Sequence, residues 1–130
     1  MKRALFLDRD GVLNDLVFYA SSDEWEAPRA LGDLRMIEGI DAPLRTLAEG
    51  GWLLVIVTNQ PSFGKGKTSR EALVAVNDEV ERRLAAAGAT VAASYICFHH
   101  PDAVVDEARI VCDCRKPGTR SLFDAAHKHG

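Results

Sequence analysis

Several features are missing from this sequence of 130 residues. No apolar run approaches the roughly 20 residues that span a bilayer, and Asp8 ends the first apolar stretch too early for a signal peptide. There is no basic surplus, because 16 Lys and Arg stand against 19 Asp and Glu, which disfavours nucleic acid as a partner. No repeat or low-complexity segment divides the chain. We therefore expect one cytoplasmic domain over residues 1–130, with neither nucleic acid nor a membrane as its partner.

Cysteine is scarce, and the three residues present cannot all pair in disulfides. An odd number in a chain without a secretory signal favours metal binding or redox use over a disulfide framework. The cysteines lie in two clusters, C-F-H at 97–99 and C-D-C at 112–114. Three thiolates and one imidazole form the tetrahedral ligand set of a closed structural zinc site. The predicted zinc ligands are Cys97, His99, Cys112 and Cys114, with His100 as the alternative imidazole.

Apolar periodicity predicts alternating strands and helices along the chain. Short apolar runs, the clearest rich in β-branched residues, indicate buried strands, while amphipathic stretches of ten or more residues indicate helices. The strands are expected at 3–7, 52–57 and 91–98, the helices at about 40–49, 69–87 and 119–129, and a loop or hairpin at 11–28. Strands that alternate with helices predict an α/β fold, in which a parallel sheet is covered by helices.

The second helix carries a capping signal at its start. Thr68 and Glu71 have the spacing of a Thr-x-x-Glu capping box, whose side chains satisfy free backbone N–H groups of the first turn. We therefore expect Thr68 to be the N-cap of this helix.

Two carboxylates, Asp8 and Asp10, follow the first predicted strand. In open α/β sheets, ligands bind at the carboxyl ends of the strands. One acid there can attack as a nucleophile while the other exchanges protons. A bare Asp-x-Asp is also typical of a solvated acidic turn, so the pair alone leaves both readings open.

Three further groups could handle a phosphate. Thr58 ends the strand at 52–57, where its hydroxyl can donate to a phosphate oxygen. The G-K-G-K loop at 64–67 lacks P-loop spacing, so its lysines either steer an anion or are simply solvated. Arg115 and Lys116 follow the second cysteine cluster, and a lysine can neutralise a phosphoryl group and an attacking carboxylate together. A zinc site would fix where this basic pair points.

Four segments together resemble one protein family. In their order and spacing, FLDRDG, VTNQ, YICFHHP and CDCRKP resemble the haloacid dehalogenase (HAD) superfamily of phosphatases. Within it, the chain is most similar to the D-glycero-D-manno-heptose-1,7-bisphosphate phosphatase branch, with the histidinol-phosphate phosphatase branch close by. The resemblance covers nearly the whole chain and implies a HAD-like Rossmannoid three-layer α/β/α fold without a large cap domain.

The resemblance also implies a mechanism and a set of site residues. It implies a Mg²⁺-dependent phosphatase that hydrolyses a small sugar phosphate through an aspartyl-phosphate intermediate. Asp8 is the implied nucleophile and Asp10 the implied acid and base, and Mg²⁺ is held by Asp8 and the backbone carbonyl of Asp10. The implied phosphoryl-binding residues are Thr58 and Lys116, and the substrate-binding residues are Asn59, Lys65 and Arg115.

One family feature is absent from the sequence. HAD phosphatases carry a fourth motif, an acidic strand end downstream of the last helix, and the chain reaches Gly130 without it. We therefore expect a domain truncated at its C-terminus, with the strand at 3–7 left as a sheet edge. An inactive, zinc-stapled remnant that serves as a binding or assembly module is accordingly an alternative function, and a zinc-dependent nucleic-acid binder is a less favoured one.

Overall fold

The computed structural model describes residues 2–109, 112, 114–118 and 120–129. The strands are β1 (Arg3–Leu7), β2 (Val17–Tyr19), β3 (Glu24–Glu26), β4 (Trp52–Asn59) and β5 (Val91–Cys97). The helices are α1 (Asp41–Glu49), α2 (Arg70–Ala86) and α3 (Arg120–His129), with short 3₁₀ turns at Leu31–Asp33 and Asp106–Ala108. The expected strands and helices are therefore confirmed to within a few residues. The predicted start of the last helix, Thr119, lies outside the described residues.

The main sheet is parallel, and its described strands run in the order β1-β4-β5. Leu7 pairs with Ile56, and Asn59 pairs with Cys97. Because parallel strands end at the same edge of a sheet, this register brings Asp8, the end of β4 and the end of β5 together. In the described part of the chain β1 is an edge strand, as the sequence predicts.

Helices cover both faces of this sheet because β4 is apolar on both sides. Leu54 and Ile56 point to one face, where they pack with Leu44 of α1 and with Val76 and Leu84 of α2. On the opposite face, a second cluster joins Val55 and Val57 to Tyr95 and Ala125 of α3. The result is the predicted arrangement of three layers, helix on sheet on helix. No helix among the described residues is both long enough and apolar enough to cross a membrane.

A β-hairpin occupies the predicted excursion after β1. Strands β2 and β3 pair antiparallel, with Phe18 opposite Trp25 and their ring centroids 5.6 Å apart. Asp23 takes a positive φ of 55° in the turn, a conformation that Asp adopts more readily than most residues. In the described residues, this hairpin is the only regular strand structure inserted between β1 and α1.

The cap of α2 differs from the expectation. Ser69, not Thr68, is the N-cap, and its hydroxyl accepts a hydrogen bond of 3.0 Å from the backbone N–H of Ala72. The Thr68 hydroxyl instead donates to the carbonyl of Arg29, at 2.8 Å. The capping-box spacing points to Thr68, but serine is as good an N-cap residue as threonine, and Thr68 has a tertiary partner that the pattern does not reveal.

We expect Ser69→Ala to lower the free energy of unfolding by about 1 kcal/mol, because it leaves a free N–H at the start of α2. Ser69→Asp is the matched control, since aspartate caps helices as well as serine does. Urea denaturation followed by circular dichroism measures both. If the alanine variant matched the parent protein, Ser69 would not be the effective cap.

Candidate active site and metal site

Asp8 lies directly after β1 and is held by a lysine from a distant part of the chain. The Lys116 Nζ is 2.7 Å from the Asp8 Oδ1, which also accepts a hydrogen bond of 2.9 Å from the backbone N–H of Arg9. The Asp8 side chain is 52% exposed. Its Oδ2 accepts no hydrogen bond from any residue that the structure describes. The carboxylate therefore presents one anchored oxygen and one oxygen open to a ligand.

Lys116 is itself fixed at three atoms. Its Nζ donates a second hydrogen bond of 2.9 Å to the carbonyl of Val57, at the end of β4. The Asn59 side chain makes two hydrogen bonds to the backbone of Lys116: its Oδ1 accepts from the Lys116 N–H at 2.9 Å, and its Nδ2 donates to the Lys116 carbonyl at 3.3 Å. The structure thus places Asn59 against the lysine, and its contact with substrate stays a prediction.

Asp10 is bound by a buried arginine that adjoins it in the sequence. Arg9 is fully buried, and its Nε and Nη2 donate to the Asp10 Oδ1 at 3.1 and 2.9 Å. The same oxygen accepts from the Asn14 Nδ2 at 3.1 Å. The remaining guanidinium nitrogen, Nη1, donates to the Asn77 Oδ1 on α2 at 3.3 Å. A buried charge is stable only when it is paired and hydrogen-bonded, so these contacts hold both side chains in place.

Thr58 reaches the same site through a glutamine. The Nε2 of Gln60 donates to the Asp10 Oδ2 at 2.7 Å and to the Thr58 Oγ1 at 2.9 Å. Both Thr58 and Gln60 are buried. The structure therefore brings together four of the predicted residues, namely Asp8, Asp10, Thr58 and Lys116.

The residues that hold these four side chains in place are not evident from the sequence. Arg9 and Gln60 lie inside the motifs, but nothing local shows which way their side chains point. Asn77 carries the clearest signal, because it lies on the apolar stripe of α2 between Leu73 and Val80, where a polar side chain needs a buried partner. That partner, Arg9, is 68 residues away in the sequence.

The predicted metal ligands come together beside this site. One ligand atom from each of Cys97, His99, Cys112 and Cys114 lies within 4.8 Å of the other three. Cys97 ends β5, while the other ligands lie on the loop that follows it. This group could hold a metal ion. His100 is not part of it, since its Nδ1 accepts a hydrogen bond of 3.0 Å from the N–H of Asp102.

Within this group, the sulfurs of Cys97 and Cys114 are in disulfide contact, and Cys112 is a free thiol. This contact differs from the sequence prediction, which disfavoured disulfides. The third sulfur is 3.4 Å from each of the other two, and the His99 Nδ1 is 3.4 Å from the Cys114 sulfur. The three sulfurs and the His99 nitrogen thus surround one point. A disulfide between Cys97 and Cys114 would not require the other two groups to be so close.

The remaining predicted substrate residues, Lys65 and Arg115, both act electrostatically on His100. Burial lowers the pKa of His100, and the positive charges of Lys65 and Arg115 lower it further, against the opposing effect of Asp102. The backbone N–H of Lys65 donates to the carbonyl of Pro61 at 3.0 Å, and its side chain is exposed. Two predicted substrate-binding cations therefore lie near one imidazole next to the metal group.

An ion pair ties the β2–β3 hairpin to the loop that follows β4. The Lys67 Nζ is 2.8 Å from the Glu26 Oε1, and the Arg29 Nη2 is 2.7 Å from the Glu26 Oε2. Burial raises the pKa of Glu26, but hydrogen bonds from Lys67, Ser22 and Arg29 outweigh burial and lower the pKa to about 2. Of the two loop lysines, Lys67 is therefore paired with this hairpin, and no ion pair is found for Lys65 among the described residues.

We expect the stability that Glu26 adds to vanish in acid. Because its folded-state pKa is about 2, below its ordinary value of 4.5, the contribution is complete above pH 4.5 and is lost as the pH falls toward 2. The free energy of unfolding should therefore differ between the parent protein and Glu26→Gln at neutral pH, and the difference should shrink across this window. A difference that stayed constant from pH 6 to about 2 would contradict the assignment.

Curated proteins of one named activity are similar to this chain over almost its full length. It is 34% identical over 122 residues to the D-glycero-beta-D-manno-heptose-1,7-bisphosphate 7-phosphatase of Photorhabdus laumondii, and 35% identical over 123 residues to the protein of that name from Escherichia coli K12. Each alignment covers 94% of this chain, but only 61% and 60% of the two relatives. The chain thus spans about three fifths of the length of these curated relatives. No protein-family model matches it.

Solved structures show the same likeness in three dimensions. A D,D-heptose 1,7-bisphosphate phosphatase from B. bronchiseptica, complexed with magnesium and phosphate, superposes with a TM-score of 0.77 at 27% identity, over 98% of this chain and 63% of that one. A HAD-like phosphatase from Mesorhizobium loti superposes with a TM-score of 0.82 at 27% identity, over 98% of this chain and 57% of that one. The resemblance to the HAD phosphatases, and among them to the heptose bisphosphate phosphatases, is therefore confirmed in sequence and in fold.

Proposed function

We propose that this chain is a phosphomonoesterase that hydrolyses a small sugar phosphate of the D-glycero-D-manno-heptose 1,7-bisphosphate type. The observation that carries the proposal is the meeting of Asp8, Asp10, Thr58 and Lys116 at the carboxyl edge of one parallel sheet. These groups supply a nucleophile, an acid and base, and two phosphate-binding donors. The named activity of the curated relatives supports the same substrate class.

In the first step, the open Oδ2 of Asp8 attacks the phosphorus atom. An Asp8–phosphorus bond forms, and the bond from phosphorus to the sugar oxygen breaks. Lys116 offsets negative charge on the transferring group because its ammonium is already 2.7 Å from the Asp8 Oδ1. Asp10 gives its proton to the departing sugar oxygen.

In the second step, water attacks the aspartyl-phosphate. Asp10, now a carboxylate, takes a proton from this water, the bond from Asp8 to phosphorus breaks, and inorganic phosphate leaves. Asp10 must therefore point at the same place in both steps. The contacts from Arg9 and Gln60 hold its two oxygens in one orientation, as that role demands.

The oxygen donors beside the nucleophile fit a magnesium ion. Mg²⁺ prefers carboxylate and carbonyl oxygens, which the Asp8 side chain and the backbone of Asp10 offer. No described residue donates a hydrogen bond to the carbonyl oxygen of Asp10, so this ligand is free. When bound, Mg²⁺ would neutralise charge on the phosphoryl oxygens. The magnesium and phosphate found with the B. bronchiseptica relative support this assignment.

We infer that the four-residue cysteine and histidine group is a structural zinc site. Zinc uses all four donors, whereas a Cys97–Cys114 disulfide would leave Cys112 and His99 without a role. The four protein ligands leave no coordination position for a catalytic water, which suits a structural role. Cys114 is two residues before Lys116, so a zinc ion there would help to set the position of the catalytic lysine.

Lys65 and Arg115 suit a substrate with more than one negative group. Both are cationic and both lie close enough to His100 to affect its pKa. These two positive charges would attract a second phosphate group on the sugar while the first phosphate group reacts at Asp8. Histidinol phosphate has a single phosphate and a cationic amine, so this arrangement favours the bisphosphate over that alternative.

Phosphate release from a panel of sugar phosphates, with Mg²⁺ and with excess chelator, tests the proposal. We expect Mg²⁺-dependent turnover that is fastest on a heptose or hexose bisphosphate. No release from any ester of the panel, by metal-replete and folded protein, would overturn it. The alternative of an inactive binding module would then be favoured.

A further inference from the structure

We propose that Gln60 is a positioning residue whose amide NH₂ sets the proton positions of both Asp10 and Thr58. The assignment rests on the proposed phosphatase function and adds a residue to its machinery. Gln60 is the only glutamine in the sequence and is fully buried directly after the T-N pair that ends β4. Its backbone N–H donates to the carbonyl of Cys97 at 2.8 Å, so it is anchored to the end of β5.

The two amide hydrogens of Gln60 have one target each. A primary amide nitrogen carries two N–H donors. In Gln60 the Nε2 lies 2.7 Å from the Asp10 Oδ2 and 2.9 Å from the Thr58 Oγ1, so both donors are used within the site. The opposite orientation of the amide would set its carbonyl oxygen against a carboxylate, which is repulsive. The NH₂ end of the amide therefore faces the site while Asp10 is a carboxylate, and the Gln60 Oε1 is buried without a hydrogen-bond partner among the described residues.

The hydrogen bond from Gln60 determines where the Thr58 hydroxyl can donate its own hydrogen. A hydroxyl has one hydrogen to donate and can accept hydrogen bonds at its oxygen. Because the Thr58 Oγ1 accepts from Gln60, its own hydrogen must point elsewhere. The side chain is 1% exposed, so bulk water does not compete for that hydrogen. Thr58 is therefore prepared to donate to a phosphoryl oxygen rather than to Asp10.

The hydrogen bond from Gln60 to Asp10 also distinguishes the roles of the two Asp10 oxygens. Each carboxylate oxygen offers roughly two lone-pair sites. The Oδ1 already accepts from two nitrogens of Arg9 and from Asn14, whereas the Oδ2 accepts only from Gln60 among the described residues. The Oδ2 is consequently the oxygen with room for a proton. Gln60 thus holds the oxygen that exchanges the proton, and Arg9 holds the one that does not.

Leaving-group dependence distinguishes this role from simple packing. A sugar alkoxide needs the Asp10 proton in order to leave, whereas p-nitrophenolate leaves without one. The ratio kcat/KM reports the steps up to transfer of the phosphoryl group to Asp8, where the leaving group departs. We expect Gln60→Met, which keeps the length of the side chain and removes both donors, to lower kcat/KM for the sugar phosphate by about 100-fold. For p-nitrophenyl phosphate we expect a loss at least about tenfold smaller.

Two further variants control the measurement. Val55→Ala removes buried volume from the centre of β4 without touching the site, so any loss should be equal for both substrates. Asp10→Asn should show the same leaving-group dependence as Gln60→Met, and adding Gln60→Met to it should cost little more on the sugar phosphate. Thermal unfolding shows which variants are folded. If Gln60→Met does not fold, Gln60→Leu, which also removes both donors and adds no charge, replaces it.

The outcomes separate the two proposals. If the parent protein hydrolyses neither substrate, the proposed function fails and the role of Gln60 fails with it. If the parent protein is active and a folded Gln60 variant loses the same factor on both substrates, or adds its full loss to that of Asp10→Asn, only the positioning role is overturned.

Discussion

Asp8→Asn is expected to lower phosphate release by about 10⁴-fold or more, the largest effect of any single change in this chain. The amide has nearly the shape of the carboxylate but is a far weaker nucleophile, so no aspartyl-phosphate can form. The Asp8 side chain is half exposed, and an asparagine there still accepts the hydrogen bond from Lys116. The variant should therefore fold normally. Steady-state phosphate release, with trapping of the phosphorylated protein, measures the effect.

The matched control is Asp15→Asn, which removes the same charge from an exposed residue in the same segment. No contact joins the Asp15 side chain to the site in the part of the chain that the structure describes. We expect this control to keep the activity of the parent protein. Turnover by Asp8→Asn at a rate close to that of the control would rule out the nucleophile assignment and would point to direct attack by water.

The second large effect is expected from Cys114→Ser. Serine is a poor zinc ligand at neutral pH, so metal affinity should fall by at least about 100-fold, and the loop that carries Lys116 should lose its order. Activity should fall with it, although Cys114 touches no substrate. Metal analysis, limited proteolysis of the segment 98–118 and phosphate release should all change together.

His100→Ala is the control for this variant, because it removes the neighbouring imidazole, which lies outside the ligand group. It should keep its zinc. A thiol reductant separates zinc from a Cys97–Cys114 disulfide, since it breaks the disulfide but leaves a metal-bound thiolate intact. Loss of loop order on reduction, in protein that contains no metal, would show that the disulfide is the functional state.

The fold was predictable because each of its elements has a local signal. Six consecutive apolar residues at 52–57 cannot lie on a surface, so they predict the central strand β4. The cap of α2 was mispredicted because the capping-box spacing favours Thr68, whereas in the fold Thr68 contacts Arg29 and the neighbouring Ser69 caps the helix. Local patterns therefore determine elements well and their last residues poorly.

In the candidate site, too, some residues could be predicted from the sequence and others could not. Asp8, Thr58 and the cysteine clusters were recognisable because their chemistry requires particular residue types at strand ends. The supporting residues Arg9 and Gln60 were not, because their function depends on which neighbour each side chain meets. Asn59 shows the limit most clearly, since its motif predicts contact with substrate whereas the structure places both ends of its amide on the backbone of Lys116.

The amino-acid sequence was enough to predict the α/β class, the order of the strands and helices along the chain, and the types of groups available for chemistry. These depend on hydrophobic periodicity and on the intrinsic reactivity of carboxylates, thiolates and amines, which are properties of residues and short segments. The folded structure was needed to show that Lys116 meets Asp8 across 108 residues, and that a buried arginine and a glutamine each bind one of the two oxygens of Asp10. Such contacts exist only once the parallel sheet has aligned the ends of its strands, because no local interaction brings these side chains together.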